Sequence, residues 1–126
     1  MEQKKILIVD DEQFITELIS EALHMEGDFN IERAFNGQEA IEKYQSFMPD
    51  LVLMDIEMPV MDGYESSSKI KSINPEAKIL VLTGNPGDSR ARRTITEGIA
   101  VPLLEKPVRL MDLNRTIREN LPAYAQ

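Results

Sequence analysis

The sequence lacks cysteine, has little positive charge and contains no long apolar run. The absence of cysteine excludes a disulfide framework and thiolate chemistry. No apolar run approaches the ~18 residues that span a bilayer, and the N-terminus has no signal-peptide cleavage pattern. The net charge of -8 argues against direct binding to nucleic acid. We therefore expect a cytoplasmic protein with no membrane or DNA contact.

The overall amino-acid composition is that of a globular domain. Hydrophobic residues make up 42% and charged residues 29% of 126 residues, values that argue against wholesale disorder. No repeat, low-complexity tract or internal boundary is present, so we expect residues 1–126 to form one domain.

Short apolar runs alternate with segments of helical periodicity along the whole chain. The runs predict strands at 4–10, 31–35, 51–54, 78–82 and 101–105, and the periodic segments predict helices at 14–25, 36–47, 63–73, 90–98 and 110–121. Pro102 inside the last run indicates a strand at the sheet edge. Five β–α units with short connections predict an α/β fold with a doubly wound parallel sheet and helices on both faces.

Four of the five predicted strands are followed by side chains suited to one chemistry. These are Asp10-Asp11-Glu12, Asp55, Thr83 and Lys106. Ligands of such sheets bind at the carboxyl ends of the strands, where crowded carboxylates favour a cation. Hard oxygen ligands suit Mg²⁺, which takes one or two carboxylates together with phosphate oxygens. A carboxylate held there can also attack phosphorus, and a lysine and a hydroxyl can bind the phosphoryl oxygens.

Each of these residues also has an ordinary structural interpretation. Asp10-Asp11-Glu12 would suit a helix N-cap, and Asp55 a turn before Pro59. Thr83-Gly84 is common in loops, and Lys106-Pro107 is common at a solvated helix start. Their joint placement at four strand ends favours a site.

The stretches ILIVDDE, LVLMDIEMPVMDG, VLTG and LLEKP, in this order and spacing, resemble the receiver domain of two-component response regulators. The resemblance covers essentially the whole chain. It implies the (βα)5 fold of flavodoxin and CheY with strand order 2-1-3-4-5. It also implies a cis peptide bond between Lys106 and Pro107.

The same resemblance implies a role for each site residue. Asp55 would be the phosphoacceptor, Thr83 the switch hydroxyl and Lys106 the phosphate-binding cation. The implied Mg²⁺ ligands are Asp11, Asp55, Asp10 mainly through water, and the main-chain carbonyl of Glu57. Two positions depart from the family pattern: Leu103 replaces a common aromatic residue, and Ile99-Ala100 replaces the usual Gly-Ala. These departures concern the output response rather than phosphorylation.

The expected function is that of a signalling switch. A histidine kinase or phosphotransfer protein would phosphorylate Asp55 with Mg²⁺, and hydrolysis would reset it, so the chain would act on no external substrate. One alternative is a phosphatase with an aspartyl-phosphate intermediate, which requires an acid/base group that Glu57 would have to supply. A phosphorylation-independent interaction module is another alternative.

Positive charge is concentrated near the C-terminus. Residues 1–89 hold 7 basic and 18 acidic residues, whereas residues 90–126 hold 7 basic and 4 acidic ones. The arginines of this segment are Arg90, Arg92, Arg93, Arg109, Arg115 and Arg118. Because a helix N-terminus disfavours cations, we expect the first three to serve binding rather than helix stability. Together the six would form a basic face on the fourth and fifth helices for an acidic output partner or a second copy of the chain, with solvated arginines as the alternative.

Overall fold

The computed structural model describes residues 3–27, 29–100 and 103–121. Five strands and five helices alternate within these ranges. The strands are β1 (Lys4–Val9), β2 (Phe29–Ala34), β3 (Leu51–Asp55), β4 (Ile79–Thr83) and β5 (Leu103–Glu105). The helices are α1 (Gln13–Glu26), α2 (Gly37–Phe47), α3 (Gly63–Ile73), α4 (Ser89–Thr96) and α5 (Leu110–Asn120). None of these helices combines the length and apolar character needed to cross a bilayer.

All five strands pair in parallel in the order β2-β1-β3-β4-β5, which confirms the predicted topology. The chain order reverses between β1 and β3, so the connections that leave these two strands diverge and open a crevice at their carboxyl ends. β3 lies in the middle of the sheet and is buried over its whole length. The sheet therefore places the end of β3 at the centre of the edge where ligands bind.

The sheet separates two apolar clusters. On one face, β-strand side chains such as Leu53 pack with Leu23 of α1 and Leu113 of α5. On the other face, side chains such as Met54 pack with Tyr44 of α2, Ile70 of α3 and Ala91 of α4. Burying a side chain of this size contributes about 1.5–3 kcal/mol, so both helical layers are strongly held to the sheet.

Three helices begin at side-chain caps. Asn36, Asp62 and Asp88 each accept a hydrogen bond from a backbone N–H in the first turn of α2, α3 and α4. Such caps contribute about 1 kcal/mol each. They also fix where each helix leaves the loop that follows β2, β3 or β4.

Strand boundaries differ from the prediction at the residues that matter most. β3 and β4 extend one residue further, so Asp55 and Thr83 are the last residues of their strands rather than the first loop residues. Ladder pairing continues that far, with Asp55 opposite Leu82 and Thr83 opposite Glu105. Both side chains are therefore fixed by sheet geometry. β5 lies at the sheet edge as expected, while Val101 and Pro102 lie outside the described residues.

Candidate functional site

Three carboxylates meet at the carboxyl edge of the sheet. Asp10 and Asp11 follow β1, and Asp55 ends the neighbouring strand β3. One carboxylate oxygen from each lies within 4.8 Å of the others. Asp10 and Asp55 are 2% and 3% exposed, whereas Asp11 faces solvent. This is an acidic pocket with one open side.

Lys106 closes the pocket from the loop after β5. Its Nζ lies 2.8 Å from Asp10 Oδ2 and 3.2 Å from Asp55 Oδ1. Its backbone N–H donates to the carbonyl oxygen of Thr83 at 2.8 Å, which holds the loop against β4. The Lys106–Pro107 peptide bond is cis, as the resemblance implied. Lys106 thus neutralises part of the buried negative charge.

Burial and the charge of Asp10 raise the pKa of Asp55 from its ordinary value of 3.8 to about 6, against the opposing charge of Lys106. Burial by itself would lower the pKa of Lys106. The hydrogen bond to Asp10 and the negative charges of Asp55 and Asp10 outweigh it, so that pKa is raised. The ammonium is therefore retained, while the carboxylate of Asp55 lacks part of the stabilisation that its charge requires. Further positive charge beside Asp55 would favour its ionised form.

Thr83 is fully buried at the end of β4. Its Oγ1 accepts a hydrogen bond from the backbone N–H of Asn85 at 3.0 Å. Such a side-chain-to-backbone bond ties the hydroxyl to the start of the β4–α4 loop. A rotation of the Thr83 side chain would therefore either break this hydrogen bond or move the start of the loop with it.

Glu57 lies two residues beyond Asp55 and is exposed. Its Oε1 is 3.9 Å from the point where a Cβ on Gly84 would stand, so the carboxylate points toward the β4–α4 loop. The carboxylate of Glu57 is not part of the acidic pocket found among the described residues. The predicted role of its main-chain carbonyl as a Mg²⁺ ligand stays a prediction.

The contacts of these residues favour a site over their ordinary structural interpretations. Glu12 occupies the N-cap position of α1 but makes no side-chain cap, and its backbone N–H instead donates to Asp10 Oδ1 at 2.9 Å. Asp55 is a strand residue, Thr83 is fully buried, and Lys106 makes two ion pairs. Asp10, Asp11, Asp55 and Lys106 come together in this pocket, and Thr83 ends the strand that lies between Asp55 and the loop of Lys106.

The sequence does not predict a set of contacts between α3 and α4, which we name the α3–α4 clamp (Asp62, Tyr64, Arg90, Arg93 and Glu97). Arg90 pairs with Asp62 of the α3 cap and with Asp88 of its own cap. Arg93 pairs with Glu97 and lies over the ring of Tyr64. No local sequence signal brings residues about thirty positions apart together.

These contacts correct the expectation for the arginines of α4. Arg90 lies in the first turn, where its pair with Asp88 offsets the unfavourable helix dipole, and Arg93 lies in the last turn, where the dipole favours a cation and Glu97 adds a pair. Helix stability therefore does account for both. On α5, Arg115 pairs with Asp112, and Arg118 bonds to Asn114 and stacks over Phe29 of β2. Much of the predicted basic face is therefore engaged within the chain.

Comparison with known proteins gives a consistent result. The family model described as response regulator receiver domain matches residues 6–118. The chain is 37% identical to the chemotaxis protein CheY of Bacillus subtilis over 117 residues, which cover 90% of this chain and 97% of the relative.

Solved structures agree with the sequence relatives. A CheY-like receiver domain from Methanospirillum hungatei superimposes with a TM-score of 0.87 at 31% identity, covering 94% of this chain and 93% of the other. CheY of Borrelia burgdorferi, solved in complex with CheX, BeF3 and Mg²⁺, superimposes with a TM-score of 0.84 at 27% identity, covering 92% and 87%.

Proposed function

The chain belongs to the response regulator receiver domain family, and from that premise we propose that Asp55 accepts a phosphoryl group from a histidine kinase or phosphotransfer protein. Phosphorylation-dependent switching is the general function of this family. The proposal assigns that function to particular residues of this chain. It also treats the chain as a protein that modifies only itself and turns over no external substrate.

One observation carries the assignment. Asp55 is the carboxylate at the end of the central strand, it lies within 4.8 Å of two further carboxylates, and its Oδ1 is 3.2 Å from an ammonium. A pKa raised to about 6 means that the fold holds this carboxylate with too little compensating charge. Such a group is suited to gain a cation and a phosphoryl group at the same place.

The donor set fits Mg²⁺. Carboxylate oxygens are the ligands that this ion prefers, and the open side at Asp11 leaves room for water and phosphate oxygens. Asp10, Asp11 and Asp55 would hold it, together with the main-chain carbonyl of Glu57. When bound, Mg²⁺ would neutralise charge on the carboxylates and on the transferring group.

In the proposed transfer, a bond forms between a carboxylate oxygen of Asp55 and phosphorus, and the bond from phosphorus to the donor imidazole nitrogen breaks. The Lys106 ammonium, which now contacts Asp10 and Asp55, would instead donate a hydrogen bond to a phosphoryl oxygen. Thr83, whose Oγ1 accepts from the backbone N–H of Asn85, would donate its hydroxyl proton to another phosphoryl oxygen. Attack of water on phosphorus then releases phosphate and restores Asp55.

A donor protein would have a docking surface beside this site. An apolar groove between α1 and the start of α5 is lined by residues that include Leu18, Pro107 and Val108, and it reaches Lys106. Phe14, one turn before Leu18, is 71% exposed. Exposed apolar side chains next to a reactive group suit transient protein contact.

Five further expectations stay predictions. They are the output partner, the basic α4–α5 face, a homodimer, the cytoplasmic location and the single domain over 1–126.

The structure gives no support to the two rival functions. A phosphatase would need an acid/base group over the phosphorus, but Glu57 directs its carboxylate toward Gly84. A phosphorylation-independent module would not need a lysine bridging two buried carboxylates.

A small phosphodonor such as acetyl phosphate, supplied with Mg²⁺, tests the assignment. Mass spectrometry should show one phosphoryl group on the natural chain and none on Asp55→Asn. Asp112→Asn, which removes a carboxylate from α5 outside the pocket, serves as the matched control and should label normally. Stoichiometric label on Asp55→Asn would refute the assignment.

A further inference from the structure

We infer that the α3–α4 clamp restrains α4 and opposes the arrangement that binds a phosphoryl group at Asp55. This inference rests on the proposed function, because it concerns how readily the same site is occupied. It assigns a regulatory role to Tyr64, Arg93 and Glu97, which lie outside the pocket.

At one end of the clamp, Arg90 joins the caps of the two helices. Its guanidinium contacts Asp88 Oδ2 at 2.9 Å and Asp62 Oδ2 at 3.6 Å. Asp62 and Asp88 are themselves the N-caps of α3 and α4. A shift of α4 away from α3 would separate Arg90 from one of these carboxylates.

At the other end, Tyr64 in the first turn of α3 holds the C-terminal end of α4. Its hydroxyl donates to Glu97 Oε1 at 2.7 Å, while Arg93 Nε donates to Glu97 Oε2 at 2.9 Å. The Arg93 guanidinium lies 4.5 Å from the centre of the Tyr64 ring. The Arg93–Glu97 pair lies within α4 and its cap, whereas the two contacts of Tyr64, with Glu97 and with Arg93, join the helices and depend on the placement of α4 against α3.

The clamp connects the two parts of the chain that phosphorylation would act on. The first turn of α3 is fixed to the phosphoacceptor strand, because Gly63 packs against the Asp55 carbonyl and donates its N–H to Ile56 O at 2.9 Å. The start of α4 is fixed to Thr83 through the Thr83–Asn85 bond and through Asp88 N–H donating to Asn85 O. A movement that begins at Thr83 would therefore displace the start of α4 and strain the contacts of the clamp.

Binding and restraint are linked thermodynamically. If α4 must move away from α3 when Thr83 turns toward a phosphoryl group, the contacts of the α3–α4 clamp must break. The free energy of those contacts then reduces the free energy of binding that group. Weakening the clamp should therefore tighten binding. Partly exposed contacts of this type contribute modestly, so the effect should be about two- to fivefold in the dissociation constant.

Beryllofluoride with Mg²⁺, titrated by amide NMR, is the probe. Tyr64→Phe keeps the ring and removes the hydroxyl bond to Glu97, and Arg93→Gln removes the cation; both should bind the probe about two- to fivefold more tightly than the natural chain. Tyr44→Phe is the matched control for the first, because it removes a tyrosine hydroxyl that bonds Asn74 away from α4. Arg115→Gln is the control for the second, since its pair lies within α5.

Amide hydrogen exchange in 89–96, measured without the probe, is a second readout and should be faster in the two clamp variants only. If the natural chain and the clamp variants bound the probe with equal affinity and exchanged these amides at equal rates, the clamp would not restrain α4. That result would leave the assignment of Asp55 as the acceptor intact. Failure of the natural chain to bind the probe would overturn the proposed function itself.

Discussion

Replacing Asp55 by asparagine should stabilise the protein at neutral pH. Folding moves the pKa of this carboxyl from an ordinary 3.8 to about 6, first through burial and then through the charge of Asp10. Each pKa unit corresponds to ~1.36 kcal/mol, so ionised Asp55 costs the folded state up to about 3 kcal/mol. An amide of the same shape carries no charge, so the substitution removes this net cost, in which the attraction of Lys106 is already included.

The sign of the pH dependence follows from the raised pKa. The folded chain holds a proton on Asp55 more tightly than the unfolded chain does. The favourable contribution is therefore complete below about pH 3.8 and is lost as pH rises through about 6. Asp55→Asn has no such dependence. Its advantage over the natural chain should grow by about 1–2 kcal/mol between about pH 5 and about pH 7.5.

Urea unfolding with a chelator present measures this difference directly, with Asp112→Asn as a surface control. Added Mg²⁺ should then stabilise the natural chain more than Asp55→Asn and narrow the gap, because the ion binds the folded state. A stability difference that does not change between the two pH values would show that Asp55 is not held at an elevated pKa. The electrostatic reasoning would then fail.

Three further results are expected. Phe14→Ala should slow phosphoryl transfer from a histidine phosphotransfer protein but leave labelling by acetyl phosphate unchanged; equal loss with both donors would contradict docking at α1. Val60 is 86% exposed with φ of 70°, so Val60→Gly should relieve strain and raise the unfolding free energy by about 1 kcal/mol, and a lower urea midpoint would argue against strain there. In amide NMR, shift changes in 83–93 caused by beryllofluoride should survive Leu103→Ala; their loss would identify Leu103 as the relay instead of the β4–α4 loop.

The position of the site could be predicted because it depends on strands. Apolar runs identify buried parallel strands, and parallel strands bring their carboxyl ends to one edge, so Asp10, Asp55, Thr83 and Lys106 had to converge. The extra strand residue at Asp55 and Thr83 was not predicted, since a polar side chain at the end of an apolar run looks like the first loop residue. Ladder pairing with the neighbouring strand decides that boundary.

The α3–α4 clamp could not be predicted for a different reason. Arg93 and Glu97 are a normal i,i+4 pair on an exposed helix face, and Tyr64 is an ordinary residue of a helical first turn. Their meeting depends on how α3 and α4 pack on the sheet, which no periodicity records. Val60 is similar: β-branched residues avoid left-handed backbone, so only the geometry of the loop around it explains its φ.

The sheet that separates the two apolar clusters also allows the two sides of the protein to diverge independently in evolution. Among the described residues, the apolar cluster beneath α1 and α5, the helices that line the donor groove, shares no side chain with the cluster beneath α4. Substitutions that do not touch usually add rather than interact. Substitutions on α1 could therefore change the phosphodonor partner while the contacts that restrain α4 stay the same.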